Sequence, residues 1–389
     1  MSAALNFSDF RLKAKRRLPK GLFEYIDRGT EDELALTTIR DRLDRLKFLP
    51  RILAGDPDPV LETTVFGRSQ PQPLVVAPTA LAGLVAHDGE VKLARVAAAH
   101  GLPFTVSTQS ITGVEDIRAA VPDATLWFQL YMWQDRALSY HLLEQVKACG
   151  ISTLVVTLDT PVSAKREYNT RNGFGIPFSF SPRAAIDMAC HPGWLARVML
   201  PYLRHSGVPT YGNYPPAFRS KITRPSIDRA VKLLSLSRED LVTLRARWQG
   251  EIILKGVLHP DDAELAVNLG ADGIVVSAHG GRNLDAAVAP ADVLPQIAQR
   301  VAGRLKVFAD SGVRRGSDVL KYLALGADAV LLGRLPLWAL AANGERGADQ
   351  ALHMLVHEMT TTMALIGARM PGECEIFPHT AAPARDAAQ

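Results

Sequence analysis

Residues 277–285 read SAHGGRNLD and close the apolar run GIVVSA. His279 has the side chain that titrates nearest neutral pH, so it is suited to take up and return a proton. Arg282, one turn on, offers a planar fork of donors to an anion. Arg166, seven residues past Asp159 in the stretch TLDTPVSAKREYNTR, is placed to close on the same anion from the opposite side. Two guanidinium groups on one carboxylate fix its orientation as well as its affinity. Asp159, acceptor-only when ionised, suits the role of holding the imidazole and stabilising its protonated form. Together these types point to acid–base chemistry on a small organic anion; the plain alternative is a turn that merely closes a loop.

A second group of residues points to phosphate. ADSGVRRGSD, residues 309–318, supplies small residues whose backbone N–H groups are open and then starts a helix, and LLGR adds Gly333 and Arg334. Loops after the last two strands of a parallel barrel are the usual phosphate seat, because N–H groups and a helix N-terminus favour a dianion. No G-x-G-x-x-G follows any strand-like run, which disfavours a Rossmann-type nicotinamide site. His353 and His357 in HMLVHE have the i, i+4 spacing of a zinc pair, but the internal glutamate of H-E-x-x-H is missing. They read as exposed or core-edge histidines, and no metal is expected.

The elements that must position these groups are legible as eight short apolar runs, each followed by a helical pattern: PLVVAPT, PFTVSTQ, TLWFQLY, STLVVTLDT, EIILKGV, DGIVVSAHG, LKVFADSG and AVLLGR. Continuous rather than alternating apolar character is what strands covered on both faces require. The count predicts an α/β fold, a (β/α)8 TIM barrel, with a doubly wound open sheet as the runner-up. In such a barrel the active residues project from the C-terminal strand ends. Those ends carry Pro78-Thr79-Ala80, Ser107-Thr108-Gln109, Gln129 and Tyr131, Thr157 and Asp159, Lys255, His279 with Arg282, Asp310-Ser311-Gly312, and Gly333-Arg334. The expected domains are a helical extension and barrel flank over residues 1–72, the barrel over 73–367, and a disordered tail over 368–389. About ninety residues separate Asp159 from Glu251, so a long insertion after strand 4 is expected, centred on residues 177–236. Its prolines, aromatics and arginines suit a lid or a membrane-touching segment, or else a solvated loop.

Composition narrows the class. The 389 residues are 47% hydrophobic and 22% charged, and 44 basic against 40 acidic residues leave a formal charge of +4. That is too mild to argue for nucleic acid. Cys149, Cys190 and Cys374 show no paired or metal-type spacing, which fits a reducing cytoplasm. The N-terminus has no apolar core of signal-peptide length, and no run is long enough to span a bilayer.

FQLY, TLDTP…REYNTRN, ILKGV, GADGIVVSAHGGRNLD, DSGVRRGSDVLKYLALGADAVLLGR and RLPKGLFEYIDRGTEDE together carry a resemblance up to about Gly367. The sequence resembles the FMN-dependent L-2-hydroxy acid dehydrogenase and oxidase family, and CHPGWLARV in the insertion is similar to its membrane-associated lactate and mandelate dehydrogenases. The resemblance implies FMN as cofactor and oxidation of an L-2-hydroxy acid to the 2-oxo acid, with hydride passing to flavin N5. It implies His279 as the base with Asp159 as its partner, Arg166 and Arg282 on the substrate carboxylate, and Tyr25 and Tyr131 bonding the substrate. It places Lys255 at the flavin N1–O2 edge, Ala80, Ser107, Gln129 and Thr157 along the ring and ribityl chain, and Asp310, Arg314, Gly333 and Arg334 towards the phosphate. Pro78, Thr79, Ser277 and Gly312 complete the cofactor set, while Gln109 and Ser163 fall where the substrate side chain would lie. These two imply a roomier or more polar pocket than glycolate needs. Ala278 stands where the family usually has asparagine, which implies a looser histidine loop, and Arg28-Gly29 stands where it has a glycine pair. Ala80 stands where the membrane dehydrogenases carry glycine, which leaves the acceptor open: a quinone or similar carrier at the cytoplasmic face of a membrane, or oxygen in a soluble oxidase. The family also implies a homotetramer. A redox-inactive phosphate-binding barrel such as an isomerase, and an inert barrel that docks on membranes, are the competing classes.

Overall fold

The alternation of apolar runs and helical patterns closes into a ring. In a computed structural model, which describes residues 4–54, 58–174, 182–219, 229–233 and 235–377, eight parallel strands form one closed barrel. In chain order they are β1 (Leu74–Val76), β2 (Phe104–Ser107), β3 (Leu126–Leu130), β4 (Thr153–Thr157), β5 (Glu251–Val257), β6 (Gly273–Val276), β7 (Lys306–Ala309) and β8 (Ala329–Leu332). Each pairs with its sequence neighbours, and β8 pairs with β1 to close the ring. The (β/α)8 expectation holds, and the open doubly wound sheet is ruled out by this closure.

Strand period explains what the barrel does for the site. Successive side chains point to opposite faces, so Trp127 and Gln129, Val155 and Thr157, Ile253 and Lys255, and Phe308 and Asp310 share the inner face. The first of each pair joins an apolar plug with Val75, Val275 and Leu331. The second, one layer higher, is polar and forms the floor of a cavity at the C-terminal mouth. The bottom is stoppered by a hairpin, Thr63–Val65 against Arg68–Gln70. Its two-residue turn, Phe66-Gly67, has positive φ at both positions, as a tight hairpin requires. Phe66 thereby lies 6.2 Å from Trp127 and 5.9 Å from Phe308, ring to ring. Burying aromatic surface of this kind stabilises by about 2–3 kcal/mol per side chain.

The N-terminal segment serves both ends of the barrel. Its hairpin closes the bottom, whereas α1 (Phe7–Arg17), α2 (Lys20–Asp27) and α3 (Leu34–Arg45) contribute residues to the mouth. The expected insertion lies between β4 and the helix Arg238–Arg247, and residues 175–181, 220–228 and 234 of it fall outside the described residues. Part of its described stretch is packed, which removes the solvated-loop alternative around Trp194, Val198, Tyr202 and Asn213. Trp194 donates from Nε1 to the Leu84 carbonyl at 2.7 Å, Val198 and Tyr202 are buried, and Asn213 bonds the Ser107 carbonyl at 2.8 Å. The tail corrects one expectation. Residues 368–377 are ordered, because Ile376–Phe377 pairs antiparallel with Lys47–Phe48 and Cys374 is buried; residues 378–389 lie outside the described residues. No helix among the described residues is long and apolar enough to cross a membrane.

Candidate active site

The loop after β6 answers to three separate anchors. His279, Gly280 and Gly281 all have positive φ, a run that turns the chain sharply back over the barrel mouth. The His279 amide donates to Ser277 Oγ at 3.0 Å, and the Gly280 amide to Ser311 Oγ at 3.0 Å. Asp285, which is buried, accepts from the amides of Asp32 and Ala35 at 3.0 Å each, so its carboxylate satisfies N–H groups at the start of α3. Gly281 must be glycine: a Cβ there would lie 2.8 Å from the Leu36 backbone, at φ +73. Ala278 packs against Ile39 and Ala289, so apolar contact with α3 holds the loop where an asparagine was expected.

The turn presents its histidine to a buried carboxylate. His279 Nδ1 lies 2.8 Å from Asp159 Oδ1. Burial would raise the Asp159 pKa, but the charges of His279 and Lys255 outweigh it and hold the group down to about 2. Burial lowers the His279 pKa against the pull of Asp159. The arrangement at neutral pH is therefore a carboxylate accepting from Nδ1–H, with Nε2 unprotonated and His279 on the cavity wall. Asp159 fits because residue 256 is glycine; a Cβ there would sit 2.5 Å from the Asp159 Cβ, and β5 bulges between Lys255 and Val257.

Both substrate-type arginines are aimed by backbone. Arg282 donates through Nη1 to the carbonyls of Tyr25, Ile26 and Arg28, at the end of α2, and its guanidinium stands 5.0 Å over the Tyr25 ring. Arg334 bonds the Ile26 carbonyl at 2.9 Å and the Gly280 carbonyl at 2.9 Å. The two cations thus occupy the negative end of one helix. Arg166 donates to the Arg282 carbonyl and to Asn283 Oδ1 at 3.1 Å each. Asn283 in turn bonds the Asp159 carbonyl at 2.7 Å, clamping the loops after β4 and β6 together. Burial, then the neighbouring Arg166, lowers Arg282 to about 9, and burial lowers Arg334 to about 10. Both remain charged at neutral pH, and an arriving anion offsets part of their desolvation.

The floor is a relay of side chains. Ser107 Oγ donates to Gln129 Oε1 and Gln129 Nε2 to Thr157 Oγ1, at 3.0 Å each. Lys255 Nζ reaches Ser277 Oγ at 2.9 Å and Asp310 Oδ2 at 3.2 Å. Burial pulls the Lys255 pKa down, but Asp310 and Asp159 more than reverse it, so the ammonium persists. Tyr131 is shifted upward by burial and by the Asp159 charge, which keeps its phenol a donor.

These groups line one cavity of about 530 Å³. Eight arginine and lysine side chains face three carboxylates on its wall. Arg11, Arg28, Arg40 and Lys255 have carboxylate partners. Among the described residues Arg166, Arg282, Arg314 and Arg334 have none at ion-pair distance, and they are the cations left for ligands.

Of the expected site residues, His279, Arg282, Arg166, Tyr131, Tyr25, Pro78, Thr79, Ala80, Ser107, Gln129, Thr157, Lys255, Asp310, Gly312, Arg314, Gly333, Arg334 and Gln109 line this cavity. Asp159 and Ser277 stand behind it, acting on His279 and Lys255. Ser163 is the exception. It is exposed on the loop after β4 and does not line the cavity, because the chain there turns outward before returning at Arg166. Sequence reasoning placed Ser311 on the rim without a role and overlooked Arg11, Arg40 and Asn283. Asn283 lay inside a quoted motif, whereas Arg11 and Arg40 reach the mouth only through the packing of α1 and α3.

The residues fit a flat, phosphate-tailed cofactor such as FMN. A Cβ on Gly333 would meet nothing within 4 Å, so backbone at the end of β8 is open to a ligand. Arg314 and Arg334 flank it, and the relay of Ser107, Gln129, Thr157 and Lys255 offers donors and acceptors in one layer.

Comparison with known proteins agrees. The model of the FMN-dependent dehydrogenase family matches residues 14–376. The L-lactate dehydrogenase of Pseudomonas paraeruginosa (strain DSM 24068 / PA7) is 41% identical over 370 residues, 94% of this chain and 95% of that protein. That of Stenotrophomonas maltophilia (strain K279a) is 42% identical over 366 residues, 93% and 95% of the two chains. Among solved structures, the monotopic membrane protein (S)-mandelate dehydrogenase superposes with a TM-score of 0.88 at 37% identity, covering 96% of this chain and 98% of the other. Mandelate oxidase with (S)-2-phenylpropionate gives 0.81 at 32% identity, covering 96% and 99%.

Proposed function

The chain belongs to the FMN-dependent dehydrogenase family, and on that premise we propose that it oxidises an L-2-hydroxy acid of the lactate or mandelate class to the 2-oxo acid. The observation that carries this reading is the convergence of His279, Arg166 and Arg282 on one cavity whose floor suits a flavin.

Arg166 and Arg282 bind the substrate carboxylate through the N–H groups their backbone anchors leave free, and Tyr25 and Tyr131 donate to the bound acid. His279 Nε2 accepts the hydroxyl proton as the α-hydrogen leaves, and Asp159 stabilises the imidazolium so formed. When bound, FMN supplies the two-electron acceptor for that hydrogen. Arg314, Arg334 and the open backbone at Gly333 would hold its phosphate, and Ser107, Gln129 and Thr157 would hold its polar edge. Lys255 keeps a buried positive charge in the same layer, where it would stabilise negative charge on a reduced flavin. Gln109 faces the substrate side chain and makes that end of the pocket polar.

The acceptor is a quinone-type carrier, reached from a membrane surface on which the insertion rests, and the assembly is a homotetramer on the cytoplasmic side. The similarity to a monotopic membrane protein, (S)-mandelate dehydrogenase, supports the membrane contact, as do the exposed Ile186, Leu200 and Leu203 on the insertion. The second reading, oxygen as acceptor, is favoured by Ala80. Turnover with (S)-lactate and (S)-mandelate, with a quinone analogue or with oxygen alone, tests both: quinone-dependent product without hydrogen peroxide supports the dehydrogenase, stoichiometric peroxide supports the oxidase, and no product from any (S)-2-hydroxy acid refutes the reaction class.

A further inference from the structure

None of this chemistry uses the histidine-bearing face of the C-terminal helix. The helix Arg334–Ile366 breaks at Asn343–Gly344, where the backbone leaves helical angles, and its second segment carries Asp349 and His353 one turn apart. Sequence spacing pairs His353 with His357. The fold sets it beside His100 instead, the residue that ends the helix Gly89–Ala99 packed alongside. His100 Nε2 lies 2.9 Å from Asp349 Oδ1, and His353 Nδ1 lies 3.3 Å from the same oxygen. One ligand atom from each of the three falls within 4.8 Å of the other two, and the two imidazoles stand edge to face with centroids 4.5 Å apart.

Bonds of about 2.0–2.1 Å in tetrahedral array put neighbouring ligand atoms about 3.3 Å apart, close to the two nitrogen-to-carboxylate spacings of 2.9 and 3.3 Å. Two imidazole nitrogens and one carboxylate oxygen form the borderline donor set of zinc and its first-row neighbours, not the all-oxygen set of calcium or magnesium. Both rings converge on Asp349 Oδ1, and His353 Nδ1 also lies 3.2 Å from the Asp349 carbonyl; an ion would take a lone pair from each ring in place of these bonds. The His100 side chain is only 8% exposed, so it is held in place, while His353 at 70% and Asp349 at 48% leave a path from solvent and room for a water as fourth ligand. An ion pair one turn away, Arg95 to Glu345 at 2.7 Å, already joins the same two helices.

We propose that His100, Asp349 and His353 form a binding site for a divalent transition-metal ion of the zinc type, a staple between the helix Gly89–Ala99 and the C-terminal helix. None of the three lines the cavity of the active site. The test is calorimetric titration of chelator-treated, flavin-loaded enzyme with zinc chloride. One equivalent binds per chain, and saturation raises Tm, since an ion that binds only the folded state stabilises it. His100→Ala and Asp349→Asn each weaken binding by at least about tenfold, whereas His357→Ala leaves it unchanged. Should His100→Ala fail to fold, the exposed His353→Ala decides by the same criterion. No binding tighter than about 100 µM overturns the proposal. So does binding that survives His100→Ala and is lost in His357→Ala, which would put the ion on the His353–His357 pair.

Discussion

Asp159→Asn isolates the contribution of the buried carboxylate without emptying the site. The side chain keeps its shape, and the Asn283 clamp is to the Asp159 backbone carbonyl, so the loop stays in place. What is lost is a negative charge 2.8 Å from the imidazole that becomes cationic as the substrate proton arrives. At a charge separation of about 4 Å and an effective dielectric of about 20, that pairing is worth about 4 kcal/mol, or about three powers of ten in rate. The neighbouring charge of Lys255, which also acts on Asp159, makes the loss no smaller. The assay is anaerobic single-turnover reduction of the flavin by (S)-mandelate, with steady-state KM alongside. The rate should fall about a thousandfold with KM changed only a few fold, because Arg166 and Arg282 are untouched. The pH profile should move as well. Asp159 raises the His279 pKa in the parent, so its removal shifts the acid limb to lower pH. A rate loss below about tenfold, or an acid limb that moves up, would refute the assignment of Asp159 as the partner of the base.

The remaining expectations concern the other walls. Arg166→Met removes one arm of the carboxylate fork and should raise KM for the acid by about a hundredfold, with flavin content unchanged; an unaltered KM and kcat would contradict its placement. Gly281→Ala forces a Cβ into the Leu36 backbone at positive φ; it should cost about 2–3 kcal/mol, lower Tm and weaken flavin retention, and a parental Tm would show that the loop is not pinned to α3. In the parent enzyme, burial holds the His279 pKa below 6.5. The neutral base is lost as pH falls through that lowered pKa, so the acid limb of kcat/KM should be centred below 6.5; a decline centred above 6.5 would mean that the imidazole is not desolvated.

The barrel was legible because its strands are apolar on both faces, and the eight runs from PLVVAPT to AVLLGR became the eight strands. The rim was legible for the same reason, since strand ends are fixed once strands are. His279, Arg282, Lys255 and Gln129 needed nothing beyond their place at those ends. The residues that were missed reach the site by tertiary packing. Arg11 and Arg40 sit on helices far from the barrel in sequence, and no local pattern says that α1 and α3 fold over the mouth. Asn283 lay inside a quoted motif but was given no role, because its clamp joins loops more than 120 residues apart. Ser163 failed for a related reason. Adjacency to Arg166 in sequence does not set direction, and the loop after β4 points residue 163 outward. The tail was expected to be disordered, yet Ile376–Phe377 pairs with Lys47–Phe48.

The measurement nearest the centre of this account is the anaerobic visible spectrum of flavin-loaded enzyme during titration with an (S)-2-hydroxy acid, for the parent and for His279→Gln. The parent should bleach on mixing, while the variant should keep its flavin, show a bound-acid perturbation of the band, and bleach slower by orders of magnitude. A parent preparation that takes up no FMN, or a variant that bleaches at the parent rate, would contradict the claim that His279, Arg166 and Arg282 meet over one cofactor.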